Sequence, residues 1–269
     1  MTVLEFTKTT LKIEDGVATL IMNDPPVMNA MGGEMAGGLL AGINELQKPS
    51  HGVRCVILTG EGRGFCTGAN LSSGAGSNTP DPEDRDAGAA LETVYHPLLR
   101  KIRNLKVPLI TAVNGPAAGV GMSFALMGDM ILASKSAFFL QAFRRIGLVP
   151  DGGSTWLLPR LVGLARAKEL SLLGERLPAE KALEWGLINR VYDDANLMPE
   201  ANKLAKDLAS GPTVSLGNIR SLYNRSFDRT YEEQLDAERW AQLTAGRSKD
   251  FGEGVAAFLQ KRPADFKGE

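Results

Sequence analysis

Two histidines and two cysteines in 269 residues leave little from which to build nucleophilic, metal or redox chemistry. His51 and His96 are the whole imidazole complement, and no Gly-x-Ser-x-Gly turn is present, so a Ser-His hydrolase has little support. Cys55 and Cys66 are not spaced as a metal-ligand pair and sit in apolar or Gly-rich surroundings. They read as free thiols of a reducing compartment, and the cytoplasm is the expected location. A Gly-Lys-Ser/Thr phosphate loop is missing, and Gly60-x-Gly62-x-Gly64 lacks the spacing of a dinucleotide fingerprint. Lys and Arg number 30 against 31 acids, and a net charge of −1 gives no global attraction to nucleic acid or to an anionic membrane. No apolar run approaches membrane-spanning length. Met1 to Gly16 mixes Glu5, Lys8, Lys12, Glu14 and Asp15 with apolar residues and reads as neither a signal peptide nor a transit sequence. No nucleic acid, membrane or metal is expected as a partner, and any anion must be met locally.

What the chain does have is apolar bulk and glycine. A hydrophobic content of 43% supports one large core, and 30 scattered glycines imply many tight turns. Val17 to Met22 is a β-rich run stopped by Asn23-Asp24-Pro25-Pro26. Met31 to Leu46 places Met31, Met35, Leu39, Ile43 and Leu46 at helical spacing, and Val53 to Thr59 is a short buried strand. The plan repeats with strands at Val107 to Val113 and Met130 to Ala133 around a helix at Val120 to Met127, which predicts parallel βα units. Ser72 to Ala90 shifts to Ser, Gly, Asp and Pro and reads as a surface loop. After Gly186 helical patterns dominate: Met198 to Ala209, Thr213 to Tyr223, Tyr231 to Leu243 and Phe251 to Gln260. The expected division is a core over 1–195 and a helical region over 196–269. The latter is barely long enough for a core of its own, and packs on the first unit or on a neighbouring subunit.

Two glycine-containing junctions between strand and helix carry chemistry. Gly64-Phe65-Cys66-Thr67-Gly68-Ala69-Asn70-Leu71 and Asn114-Gly115-Pro116-Ala117-Ala118-Gly119-Val120-Gly121-Met122 can each present bare main-chain N–H groups, suited to an anion or a developing oxyanion. Alone, either is equally a plain connecting turn. Together they resemble the crotonase (enoyl-CoA hydratase/isomerase) family. Asn114 to Gly121 looks like its N-G-x-A-x-G-G-G segment, Val27-Met28-Asn29-Ala30 its A-L-N-A loop, Gly64 to Leu71 its F-C-A-G-A-D-L loop, and Asp129 to Ala133 its C-D-I-x-x-A strand. Gly147 to Ser154 matches its G-x-x-P-x-x-G segment.

The resemblance implies an α/β fold, a crotonase-like β-β-α superhelix with a C-terminal helical trimerisation region. The partner would be an acyl-coenzyme A thioester, and the assembly a homotrimer or dimer of trimers. The thioester oxygen would sit between the N–H groups of Ala69 and Val120. Met28, Ala30, Ala69, Asn70 and Leu71 would line the coenzyme A path, and Lys261 would reach its phosphates. At the positions of the two hydratase glutamates this chain has Ser123 and Phe143, so hydration lacks its expected acid and base. Asp151, in Val149-Pro150-Asp151-Gly152-Gly153, stands where family isomerases carry a single acidic base, and Thr155 to Arg160 looks most like the isomerase of the phenylacetate branch. One carboxylate suits a proton shift needing no cofactor, coenzyme A being part of the substrate. An apolar wall from Phe138, Phe139, Phe143 or Trp156 would raise its pKa. The alternatives are that Asp151 caps the following helix, that the enzyme is a hydratase or another crotonase-type lyase or hydrolase, such as a dehalogenase using Asp151 as nucleophile, or that the chain binds acyl-CoA without turning it over.

Overall fold

The computed structural model describes residues 1–71, 81–84 and 86–269. Residues 72–80 and 85, the greater part of the Ser72 to Ala90 stretch read as a surface loop, lie outside the described residues. The main sheet runs in the spatial order β1 (Thr2–Phe6), β2 (Thr9–Glu14), β3 (Val17–Met22), β4 (Cys55–Gly60), β5 (Leu109–Val113), β7 (Met130–Ser134), β10 (Arg190–Tyr192). A second sheet joins β6 (Ala117–Ala118), β8 (Phe138–Leu140) and β9 (Arg176–Pro178). The first three strands pair antiparallel and the rest of the main sheet pairs parallel. In β2 the alternation is visible: Leu11 and Ile13 point into the core, and Lys12 and Glu14 point out. β4 and β5 are buried along their whole length, as parallel strands covered on both faces must be.

One face of the sheet packs against α1 (Gly33–Leu46), α2 (His96–Arg103), α3 (Val120–Ala125) and α4 (Ser154–Leu173), with α5 (Ala179–Glu184) at the edge. The other face takes α6 (Leu197–Ser210), whose Ala201, Ala205 and Ala209 repeat every four residues and let the helix lie close on Cys55, Ile57, Ile110 and Leu132. α1 begins two residues later than its periodicity predicts. Met31 is taken by a bridge to Ala69, its N–H donating to the Gly68 carbonyl at 2.7 Å.

Three more helices follow, α7 (Thr213–Ser226), α8 (Tyr231–Gly246) and α9 (Lys249–Gln260). α8 opens on a capping box in which Thr230 Oγ1 accepts from the Glu233 N–H and Glu233 accepts from the Thr230 N–H. α7 is tied to the sheet by an ion pair whose arginine end is buried. Arg220 Nε lies 2.7 Å from Asp129 Oδ2, and the same guanidinium donates to the carbonyls of Ile102, Arg103 and Leu105. No described helix is long and apolar enough to cross a membrane.

Candidate active site

The site is built where the loops after β3, β4 and β5 meet. The loop after β3 is organised by Asn29, a fully buried side chain. Its Oδ1 accepts from the Asp24 N–H at 2.8 Å, and its Nδ2 donates to the carbonyls of Glu61 and Gly64 at 3.0 and 2.8 Å. Asn114, in the loop after β5, does the same from the other side, accepting from the Gly60 N–H and donating to Gly62 and Gly64. The two amides thus hold the 60–64 loop from opposite ends. Neither role was visible in the sequence, because an asparagine that ties distant carbonyls has no local signature.

The 64–71 segment is then laid between its neighbours. Thr67 N–H donates to the Met28 carbonyl at 3.2 Å and Asn70 N–H to the Met31 carbonyl at 2.8 Å. On the other edge Cys66 bridges Ala117, with Cys66 N–H to Pro116 O at 3.1 Å and Ala118 N–H to Cys66 O at 3.0 Å. Met28, Ala30, Ala69, Asn70 and Leu71 are therefore brought together, while Lys261 is the exposed C-cap of α9, with no hydrogen bond joining its side chain to them among the described residues. A Cβ on Gly121 would overlap the Cys66 carbonyl, so α3 can dock on this loop only with glycine there. Gly68 and Gly119, which precede Ala69 and Val120, come close together at this contact. A Cβ on Gly119 would stand 3.7 Å from Gly68 Cα. Neither the Ala69 N–H nor the Val120 N–H donates to any main-chain or side-chain acceptor among the described residues. Val120 is itself buried.

Asp151 lies at the turn that leads into α4. It does not cap that helix: the N-cap is Gly153, and no side chain accepts from the first turn. Its Oδ1 is enclosed and, with Gln141 Oε1, is one of two buried side-chain oxygens without a hydrogen-bond partner among the described residues. Burial alone pushes its carboxyl up to about 6. Tyr95, whose hydroxyl donates to the Met31 carbonyl at 3.1 Å, interacts electrostatically with Asp151 and was not singled out from sequence. Burial pushes the Tyr95 phenol up to about 12 and the Cys66 thiol up to about 11, so both are neutral near pH 7.

The aromatic residues expected to wall Asp151 divide. The Phe143 ring comes within 3.8 Å of a Cβ built on Gly119, at the start of α3, and Phe139 is fully buried. Trp156 instead carries the guanidinium groups of Arg103 and Arg160 against its ring, at 4.4 and 3.9 Å from the centroid, and Phe138 carries Arg176 at 4.5 Å. Trp156 belongs to a cavity of about 700 Å³ between α2, α4 and α7, backed by Gly152 and Gly153. Ala69, Val120 and Asp151 do not line that cavity, and it is not the candidate site. His96 is half-buried in its wall. No cluster of three or more side chains able to hold a metal occurs among the described residues.

The sequence profile of the enoyl-CoA hydratase/isomerase family matches residues 12–269. This chain belongs to that family. The 1,2-epoxyphenylacetyl-CoA isomerase of Escherichia coli K12 is 46% identical over 96% of this chain and 97% of its own length. A Rhodobacter capsulatus protein titled "Probable enoyl-CoA hydratase" is 39% identical over 96% of each chain. Among solved structures, the enoyl-CoA hydratase/isomerase of Cupriavidus metallidurans superposes with a TM-score of 0.90 at 30% identity, covering 98% of both chains. The fold is accordingly the crotonase fold, a mixed α/β core followed by C-terminal helices, and the protein is an enzyme of the enoyl-CoA hydratase/isomerase type.

Proposed function

We propose that this enzyme moves a double bond along an acyl-CoA thioester, with Asp151 carrying the proton and the Ala69 and Val120 N–H groups holding the thioester oxygen. Asp151 takes a proton from C2 of a 3-enoyl thioester, and the C–H electron pair delocalises onto the thioester oxygen as a dienolate. The carboxyl then returns the proton to C4, so the 2-enoyl product forms and Asp151 ends as it began. Two preorganised donors on the oxyanion suit this step, each typically worth about 10²–10³ in rate. The carrying observation is the enclosed, unpartnered Asp151 Oδ1, a carboxyl raised toward neutrality by burial beside a helix start with bare N–H groups. Ser123 and Phe143 stand where a hydratase keeps its glutamates, which disfavours water addition by this chain. The 46% relative's name makes aryl-derived acetyl-CoA thioesters the first acyl groups to assay.

The same reading includes no cofactor beyond the coenzyme A of the substrate, a cytoplasmic location, and a homotrimer or dimer of trimers formed through the helical region 196–269. Trp240, Phe258 and Leu259, large apolar side chains left exposed on α8 and α9, support an association surface there. Lys261 lies at the end of this surface, where it would meet a coenzyme A phosphate of its own or a neighbouring subunit.

A base must be ionised to act. With a carboxyl at about 6, kcat/KM is expected to be level above pH 7 and to fall tenfold per unit below about pH 6, rather than below pH 4. Initial rates of isomerisation between pH 4.5 and 8.5 test this. An acid limb at the ordinary carboxylate value contradicts the assignment.

A further inference from the structure

We propose that Ser123 is the positioning residue for Asp151, holding the acid by its main-chain carbonyl while occupying the space that a second acid would need. This rests on Asp151 being the base. The Asp151 carbonyl oxygen accepts three bonds: from Ser123 Oγ at 2.9 Å, Ser154 Oγ at 2.9 Å and Ser154 N–H at 3.0 Å. Enclosed Oδ1 of the same residue accepts none. The division matters chemically. A donor on the carboxylate would stabilise its charge and lower its basicity, whereas a donor on the carbonyl fixes the residue's orientation and leaves the carboxylate bare.

Ser154 is a near neighbour, three residues along, and its bond to Asp151 is an ordinary local turn. Ser123 is different. It is fully buried on α3, 28 residues away in sequence, one turn from Val120, whose N–H is the proposed oxyanion donor. Its hydroxyl makes the one side-chain bond, among the described residues, that ties the acid to the helix presenting that donor. The fit leaves no slack. Gly152, at φ +59°, lies so close that a Cβ on it would stand 2.6 Å from Ser123 Cβ and 3.3 Å from Val120 Cγ2. The closeness restricts position 152 to glycine, and a longer carboxylate side chain at 123 is expected to press on the 151–152 turn and disturb Asp151, so the serine favours one-carboxylate chemistry at the site.

The test compares Ser123→Ala, Ser123→Cys, Ser123→Glu and Asp151→Asn in the full-length chain, assayed with a panel of enoyl-CoA thioesters. Ser123→Ala is expected to lower kcat about tenfold, the scale of one lost hydrogen bond, with KM changed by less than about twofold. Its acid limb is expected to move below 6 as the freed carboxylate reaches water. Tyr95 faces Asp151 and Cys66 interacts with Tyr95, but both are neutral across that window and do not supply the limb. Ser123→Cys, a near-isosteric weak donor, is expected to lie between wild type and Ser123→Ala, and it keeps the test alive where the alanine variant folds poorly. Ser123→Glu is expected to lose isomerisation without gaining hydration. Wild-type kcat and acid limb in Ser123→Ala, or in Ser123→Cys when that is the folded variant, overturn the proposal, as does a Ser123→Glu enzyme that hydrates while it isomerises. An active Asp151→Asn enzyme overturns instead the assignment of the base, a distinguishable result.

Discussion

Asp151→Asn is expected to lower turnover about 10³-fold, within the 10²–10⁴ that a positioned base contributes, while leaving affinity for an acyl-CoA thioester unchanged. Asparagine keeps the shape and removes only the ability to take the proton. The same variant makes a second, thermodynamic statement. Asp151 is raised from 3.8 to about 6 by burial, so between those values the folded chain binds the proton more tightly than the unfolded chain. Its contribution to stability is therefore present below about pH 4 and is lost as pH rises through 6. Discounted for its partial exposure, the cost is on the order of 1 kcal/mol at pH 8. Asp151→Asn is expected to be the more stable protein at pH 8 and to lose that advantage at pH 4, as urea titrations at the two pH values would reveal. A variant that is equally active, or that loses thioester binding together with turnover, contradicts the assignment.

Arg220→Met is expected to destabilise the fold by about 3 kcal/mol, since the guanidinium is buried and holds three carbonyls although its carboxylate partner is partly exposed. Only 3% of the Arg220 side chain is exposed, and it bonds Asp129 together with three carbonyls at the end of α2. Without it, Asp129, whose carboxyl burial already pushes up, keeps the Leu109 N–H as its one remaining side-chain hydrogen-bond partner among the described residues. The three carbonyls lose their donor as well. For a chain of this size the melting temperature is expected to fall by roughly 10 °C. A change of less than about 1 kcal/mol in a denaturant titration would show that the C-terminal helices are not locked to the sheet through this contact.

How far the sequence reaches is clearest element by element. β3 lies on the residues its apolar run predicts, and the helices α6 to α9 differ from their predicted ranges by a few residues at most. Both patterns are strong because one whole strand or one helix face is apolar. β1 and β2 escaped because the turn between them uses Lys8 at φ 54° in place of glycine, and their outward charges break the apolar signal. The long helix α4 escaped because Pro159 and a non-helical Gly163 interrupt its periodicity.

The site divides in the same way. Glycine-rich junctions leave a readable trace, and the resemblance of their motifs to the crotonase family is what allowed Ala69, Val120 and Asp151 to be named as candidates. Asn29, Asn114 and the Ser123 bond to Asp151 could not, since each works by reaching a carbonyl far away in sequence, at separations of 28 to 52 residues. The expected aromatic wall loses Trp156 for a similar reason. Sequence proximity put Trp156 near Asp151, but Arg103 and Arg160 hold its ring in the neighbouring cavity.

The central claim is that one carboxyl relays a proton between two carbons of a thioester whose oxygen is held by main-chain amides. Incubation of the enzyme with 3-enoyl-CoA in deuterated water, followed by mass and NMR analysis of the thioester, tests it directly. Migration of the double bond to C2 is the predicted result, and deuterium at C4 marks the fraction of turnovers in which the Asp151 carboxyl exchanges its proton with solvent before returning it. Accumulation of a 3-hydroxyacyl thioester, or recovery of unlabelled starting material, would contradict it.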